Sequence, residues 1–141
     1  MDMTQSRVYK QARSVASEIL LAINALDRNP SFRLTDQVRA SSTSVTHCLL
    51  EGMGRTTTGE KLQMLSHARG SLWETIDALH DLEILRVITS EQHKDFEMRL
   101  RGVSIQLAIL AASLLDEDPE YNGAYKKLAE QGRKFRQRKA E

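Results

Sequence analysis

The stretch FEMRLRGVSIQLAILAASLL, from Phe96 to Leu115, decides the fold. Its large apolar side chains recur at alternating intervals of four and three residues, at Phe96, Leu100, Val103, Leu107, Leu110 and Leu114. This spacing puts them in one stripe along an α-helix and is typical of the seam of a helical bundle. Thr89 followed by Gln92 has the spacing of a capping box, so the stretch predicts a helix over about 90–115.

Three earlier segments show the same helical period, and they predict helices over about 4–27, 35–52 and 57–86. The first is expected to end before Asn29-Pro30, and the third begins at a capping-box pair, Thr57 and Glu60. The second contains ASSTSV (40–45), whose small side chains allow close approach of a neighbouring helix. Gly70-Ser71 in the third predicts a close helix contact at a bundle or subunit seam, which would offset the cost of a glycine within a helix. Strand-like alternation is absent from the sequence. Residues 1–115 therefore predict an all-α, antiparallel up-and-down four-helix bundle.

The fourth predicted helix has a second apolar face beside its seam, and the first helix has extra apolar residues beside its own stripe. Contiguous exposed apolar surface of this kind usually marks an interface. We therefore predict a homo-oligomer, although a wide core stripe within one bundle is the alternative. The predicted interface residues are Leu20, Ile23, Ile105, Ile109 and Ala112.

Composition narrows the classes of protein. The formal net charge of +1 creates no global field that requires nucleic acid or membrane. Cys48 is the single cysteine, which excludes an intrachain disulfide. The first residues lack the apolar core of a signal peptide, and no apolar run approaches a bilayer-spanning length. We predict a cytoplasmic protein without a membrane segment.

The stretch GMGRTTTGEKL (52–62) resembles a phosphate-binding loop only in the spacing of Gly54 and Gly59. Glu60 stands where such a loop needs lysine, and the preceding segment is predicted to be helical rather than a strand. We interpret the stretch as a connector in which glycines end one helix with positive dihedral angles and threonines cap the next.

Three stretches resemble motifs of the bacterial 23S rRNA intervening-sequence protein family. LLEGMGR (49–55) is similar to the turn of that family through Glu51, Gly52, Gly54 and Arg55. LQMLSHARGSLWETIDAL (62–79) is similar to the helix that follows it through Leu65, Ala68, Gly70, Ser71, Glu74 and Leu79. RLTDQVRASSTSV (33–45) is similar to an upstream segment through Leu34, Thr35, Gln37 and Arg39.

The resemblance spans about residues 8–115 and implies an antiparallel four-helix bundle assembled as a ring of five. It implies no catalytic activity. Where the family often has proline and an Ala-Asn pair, this chain has Thr46, His47 and Cys48, which puts a kink of the second helix in doubt. Accessory variability proteins of diversity-generating retroelements are similar in fold, and they bind nucleic acid and a reverse transcriptase on a basic surface.

Carboxylates and histidines are the side chains considered for a catalytic or metal-binding site. Glu51 and Glu74 are predicted to form buried or interface ion pairs with Arg39 and Arg69, and a paired-carboxylate enzyme is the alternative. A di-iron bundle needs Glu-x-x-His on two helices, and Asp77-x-x-His80 is one loose relative of that motif. We predict no catalytic residues, no metal site and no cofactor.

Residues 116–141 lie outside the resemblance and begin with an acidic, turn-rich segment. The basic remainder is predicted to be a loose helix or disordered. It could contact nucleic acid together with Arg55, or simply be a solvated tail. Its cations are Lys126, Lys127, Arg133, Lys134, Arg136, Arg138 and Lys139. The resulting hypothesis is a non-enzymatic oligomeric scaffold that binds a protein or RNA partner; the alternative is a carboxylate- or metal-centred bundle enzyme.

Overall fold

The computed structural model describes residues 2–25 and 32–141, and all of their regular structure is helical. A 3-10 turn at Met3–Gln5 precedes five α-helices: α1 Arg7–Asn24, α2 Phe32–Met53, α3 Thr58–Ile84, α4 Ser90–Glu117 and α5 Lys126–Ala140. The predicted all-α class is confirmed, but the described residues form five helices rather than four. The predicted end of helix one at residues 26–27 and the Asn29-Pro30 turn lie outside the described residues.

Side-chain caps fix where the helices begin. The Ser6 hydroxyl accepts a hydrogen bond from the Tyr9 N–H at 3.2 Å and starts α1. Both predicted capping boxes are present, at Thr57 with Glu60 and at Thr89 with Gln92. The Glu60 carboxylate is thus used in a helix cap. The stretch 52–62 holds the end of α2, the connector 54–57 and the start of α3, which agrees with its interpretation as a junction between helices.

The first four helices pack as a ring of neighbours in which α1 and α3 each contact both α2 and α4. Their mutual stripe is fully buried at Ile19, Leu49, Leu65, Leu72, Leu79 and Leu107, among others. Small residues line the α2–α3 contact as predicted: Thr75 Oγ1 lies 2.9 Å from Ser41 Oγ, and Ser71 donates to Ser44 Oγ at 2.9 Å. These pairings also show that α2 and α3 run antiparallel.

Gly52 has a packing role rather than the dihedral role that was predicted. None of the described glycines has a positive φ angle. Gly52 is buried, and a Cβ at this position would lie 2.8 Å from Met64 Cβ and 3.3 Å from the Lys61 carbonyl oxygen. The glycine therefore permits the close approach of α2 to the start of α3.

A left-handed residue connects α3 to α4. Arg86 has φ 59°, and the Val87 N–H donates to the Leu82 carbonyl oxygen at 2.8 Å across the helix end. This arrangement closes the C-terminus of α3 in the way that a glycine usually does. The tight turn brings the last turn of α3 against the first turn of α4.

Helix α5 packs along α4 and covers much of its second apolar face. Leu128 and Ala129 are buried, and Gly132 is seated directly on the α4 backbone. A Cβ at position 132 would lie 1.7 Å from the Ala108 carbonyl oxygen, so only glycine fits there. The basic segment is therefore a packed helix.

An ion-pair clamp also holds α5. Arg133 Nη2 donates to Asp116 Oδ1 at 3.0 Å, and Arg136 Nη1 donates to Asp116 Oδ2 at 2.8 Å. The hydrogen bond from Arg136, followed by that from Arg133, lowers the pKa of Asp116 below its ordinary value. One carboxylate at the end of α4 thus binds two cations of α5.

The prediction that no apolar run approaches a membrane-spanning length needs a correction. Helix α4 is long and apolar enough to cross a membrane by length and composition alone. Half of its most apolar 18-residue stretch is buried inside the molecule. Packing against α1, α3 and α5 gives this apolar surface a partner within the chain. The cytoplasmic location stays a prediction.

We expect Gly132→Ala to lower the free energy of unfolding by about 1–3 kcal/mol, because the new methyl group meets backbone atoms that cannot yield without moving α5. Gly102→Ala is the matched control in an exposed position of α4, where a Cβ meets nothing within 4 Å. It should raise the same quantity by about 0.5–1 kcal/mol. Urea unfolding followed by circular dichroism measures both. Equal stabilisation by the two alanines would contradict the docking of α5.

The Asp116 clamp predicts a pH dependence. Since the folded-state pKa of Asp116 is lowered, its contribution to stability is fully present above its unfolded value of about 4 and is lost as pH falls further. The urea midpoint of the wild type should therefore be higher than that of Asp116→Asn at about pH 7. The two midpoints should converge at about pH 2–3. A difference that is unchanged at low pH would show that the carboxylate charge has no part in holding α5.

Candidate functional site

Charge in this chain is strongly segregated although its total is close to zero. Residues 126–141 contain seven cationic and two anionic side chains, which gives this segment a formal charge of +5 in a chain of +1. The rest of the chain therefore carries −4. Because α5 is docked on α4, this charge is held on one side of the bundle rather than spread through a loose tail.

The predicted cations of α5 fall into groups with different surroundings. Arg133 and Arg136 are bound to Asp116, and Lys126 is half-buried at the start of the helix. The other four remain for contact with a ligand. They are Lys127, Lys134, Arg138 and Lys139.

Three of those cations share one stripe of α5. Lys127, Lys134 and Arg138 line an open groove of about 490 Å³ together with Glu130, Gln131 and Phe135. Spacings of seven and four residues place the three cations on the same helix face. Their charges therefore act together along one side of the helix.

Lys139 faces a different space. It lines a cavity of about 790 Å³ between α1 and α4, together with Arg7, Lys10 and Arg99. Arg99 is already bound to Glu18 and Asp95. Ile105 and Met98 add apolar lining to this cavity.

Arg55 is not part of the α5 surface. It lies in the α2–α3 connector and forms an exposed ion pair with Glu51, one helical turn before it. Its charge is thus largely balanced by the Glu51 carboxylate. Contact between Arg55 and nucleic acid stays a prediction. None of the contacts described for Arg55 joins it to α5.

The predicted buried ion pairs of Glu51 and Glu74 with Arg39 and Arg69 are wrong within one chain, and their pairing across an interface between copies stays a prediction. Both glutamates are exposed; Glu51 binds Arg55, and Glu74 accepts a hydrogen bond from Gln37 Nε2 at 3.2 Å. Gln37 and Glu51 are about 21 Å apart along α2 at about 1.5 Å per residue. The two carboxylates are therefore far apart, and the paired-carboxylate centre that they would have formed is absent from the described structure.

Two of the five predicted interface residues belong to the core instead. Ile23 is 1% exposed and Ala112 is 0% exposed, so neither can contact a second copy of the chain. Leu20, Ile105 and Ile109 are partly exposed. The second apolar face of α4 is wider than packing against α1 and α3 requires, because α5 also packs on it.

The large apolar side chains that do remain exposed concentrate toward one end of the bundle. Leu21 near the end of α1 is 69% exposed, and Ile84 and Leu85 at the end of α3 are 75% and 48% exposed. Met98 in α4 is 66% exposed and Trp73 in α3 is 38% exposed, and both lie within their helices rather than at the ends. Sequence periodicity missed these residues because it finds stripes along a helix, whereas most of these lie where helices end.

Gly70 and Ser71 were predicted to lie at a close helix contact. Ser71 does, through its hydroxyl bond to Ser44, but Gly70 is exposed and a Cβ there would meet nothing within 4 Å. Its predicted contact with a neighbouring helix of the same bundle is therefore wrong. A contact with another copy of the chain stays a prediction.

A cluster of histidines and carboxylates lies where α3 meets α4. His93 is buried, with Nδ1 bound to Glu83 Oε2 and Nε2 lying 3.7 Å from Glu97 Oε1. His80 Nε2 lies 3.6 Å from the same Glu97 oxygen. The hydrogen bond from His93, followed by one from Ser90, lowers the pKa of Glu83 below its ordinary value.

Sequence reasoning missed this cluster because it searched for a carboxylate three residues from each histidine. The partner of His93 on its own helix is four residues away, at Glu97, and its other partner is Glu83 on the preceding helix. The turn at Arg86 brings these two helix ends together. A search at i+4 would have found His93 and Glu97, but not the contribution of α3.

Comparison with known proteins places this chain in a family. Residues 4–108 match the family described as 23S rRNA-intervening sequence protein. A solved structure from Bacteroides thetaiotaomicron VPI-5482, described as a protein with unknown function from the S23 ribosomal protein family, is 20% identical with a TM-score of 0.68. The likeness covers 74% of this chain and 97% of that chain and shows the shared fold.

No curated protein matches the chain. The family match ends at residue 108, so the end of α4 and the whole of α5 lie beyond it. The matched region includes the turn with Glu51, Gly52, Gly54 and Arg55 and the helix with Gly70, Ser71 and Glu74. This chain belongs to the 23S rRNA-intervening sequence protein family.

Proposed function

We propose that this protein is a non-enzymatic, self-associating scaffold that binds RNA through the outward face of α5. The observation that carries the proposal is the segregation of charge onto one docked helix, +5 over residues 126–141. Cations held on a fixed surface gain free energy from polyanions because each neutralised phosphate releases counterions. The acidic remainder of the chain disfavours binding of a polyanion elsewhere.

The arrangement fits phosphates rather than bases. Lys127 and Arg138 are eleven residues apart, which is about 16 Å along the helix axis, so their stripe can follow several successive phosphates. Phe135 packs against the core, and Arg101 covers the Trp73 ring with its guanidinium carbon 5.1 Å from the ring centroid. Aromatic stacking on bases is therefore not the expected source of affinity.

Self-association would multiply this surface. The partly exposed Leu20, Ile105 and Ile109, and the exposed Leu21 and Ile84, supply apolar area that a second copy can bury. A ring of five, as the family resemblance implies, would present five α5 surfaces and convert weak single contacts into avidity. An acidic protein partner is the competing occupant of the same face.

We expect the triple variant Lys127→Ala, Lys134→Ala, Arg138→Ala to weaken RNA binding, because these three cations are exposed on one face of α5. Fluorescence polarisation with a structured RNA, measured over a range of salt, gives the affinity and its salt dependence. The slope of log K against log salt should fall by about 0.7–0.9 for each phosphate that the variant no longer neutralises.

The matched control removes the same charge elsewhere, through Arg13→Ala, Arg33→Ala and Lys94→Ala at exposed positions outside α5. It should leave both the affinity and the slope near those of wild type. Equal weakening in the two triple variants would refute a dedicated α5 surface. Absence of RNA binding at low salt, together with binding of an acidic protein through the same residues, would replace RNA by a protein partner.

We expect wild-type protein at micromolar concentration to have a light-scattering mass that is a multiple of 16.0 kDa. Leu21→Glu and Ile84→Glu should each reduce that mass, because a charge at an exposed apolar position opposes burial. Gln63→Glu introduces the same charge at an exposed polar site of α3 and should leave the mass unchanged. A monomeric wild type would contradict self-association.

A further inference from the structure

We propose that His80, His93 and Glu97 form a binding site for one Zn²⁺ ion per chain, at the junction of α3 and α4. The site belongs to the bundle rather than to α5, and it does not depend on the function proposed for α5. It would give the α3–α4 hairpin a metal link. Three side chains of ligand type converge there, with one ligand atom from each lying within 4.8 Å of the others.

The separations suit a shared cation better than direct hydrogen bonds. Glu97 Oε1 lies 3.6 Å from His80 Nε2 and 3.7 Å from His93 Nε2, which is too long for a hydrogen bond. Two ligands bound to a tetrahedral zinc ion at about 2.0–2.1 Å lie roughly 3.3–3.4 Å apart. A movement of a few tenths of an ångström would bring each histidine nitrogen to that distance from Glu97, and the two histidine nitrogens, which lie within 4.8 Å of each other, would close around the same ion.

Glu83 prepares His93 for this role. A carboxylate only accepts hydrogen bonds, so the His93 Nδ1 bound to Glu83 carries a proton. In the neutral ring, the other nitrogen then directs a lone pair toward the Glu97 carboxylate, and a cation between them removes the repulsion. A histidine that donates to a carboxylate while it binds metal through its second nitrogen is a common feature of zinc sites.

Glu97 is also held in place. Arg101 Nε donates to Glu97 Oε2 at 3.3 Å, which leaves Oε1 directed toward the two histidines. Arg101 itself lies over the Trp73 ring. The i, i+4 spacing of His93 and Glu97 puts them on one face of α4, while α3 supplies His80.

The ligand set selects the metal. Two imidazoles and one carboxylate favour zinc and similar divalent transition ions over magnesium or calcium, which prefer all-oxygen sites. Three protein ligands leave a fourth position for water or an external donor. Because the ligands come from two helices, binding should stabilise the α3–α4 hairpin.

The test titrates tag-free, chelator-treated full-length protein with Zn²⁺ against a chromophoric zinc indicator. We expect one ion per chain. Glu83→Gln should lower the affinity about 10–100-fold because it removes the group that orients His93, and His80→Gln should lower it further. At zinc about 100-fold above Kd, the wild-type Tm should rise by about 5–10 °C, and His80→Gln should lose that rise.

His67→Gln is the matched control, because His67 is another exposed histidine of α3 that lies outside the cluster. His80, whose side chain is 57% exposed, is the ligand to replace first, since loss of the buried His93 could disturb folding. Co²⁺ absorption in the visible range reports inner-sphere ligation separately from stability. The proposal is overturned if Zn²⁺ does not bind stoichiometrically, or if His80→Gln and His67→Gln bind it equally.

Discussion

The contact between Gly132 of α5 and the backbone of Ala108 in α4 is the constraint on which the rest of the structure depends. It brings two helix backbones so close that no side chain fits between them. Helix α4 has more apolar surface than α1 and α3 cover, and exposing it to water costs roughly 25 cal/mol per Å². Helix α5 has few apolar residues of its own. It still removes part of that surface from water, because its backbone lies so close to α4.

This docking also determines where the charge lies. Helix α5 is rich in cations and would repel itself as a free segment, yet two of its arginines are bound by one carboxylate at the end of α4. The remaining cations are then presented on an ordered surface. A helix that is already ordered loses little backbone conformational entropy when a ligand binds, so its charges act at lower cost than those of a disordered tail.

Much of the fold could be predicted from sequence because its signals are local. The seam of α4 repeats along a single helix, and each capping box needs only two residues three positions apart, as at Thr57 and Glu60. The position at which α5 packs on α4 could not be predicted in the same way. Its decisive residue, Gly132, contributes by having no side chain, and a glycine in a polar segment normally indicates a weak helix.

The candidate sites likewise combine residues that are visible in the sequence with contacts that only the fold creates. The cations of α5 are visible in the sequence, but which of them are bound by Asp116 depends on hydrogen bonds across 17 and 20 residues. Likewise, His93 and Glu97 share a helix, whereas Glu83 and His80 reach them only because Arg86 turns the chain in a left-handed conformation. Ile23 and Ala112 were assigned to an interface because one helix face does not reveal which neighbour covers it.

Hydrogen–deuterium exchange of the full-length protein, read by mass spectrometry, tests the central claim most directly, namely that α5 is a docked helix of this bundle. Amides from Leu128 to Phe135 should exchange far more slowly than those of an unfolded chain, because they lie in a helix packed on α4. Exchange of this segment at the rate of an unstructured peptide, with α4 still protected, would contradict the account.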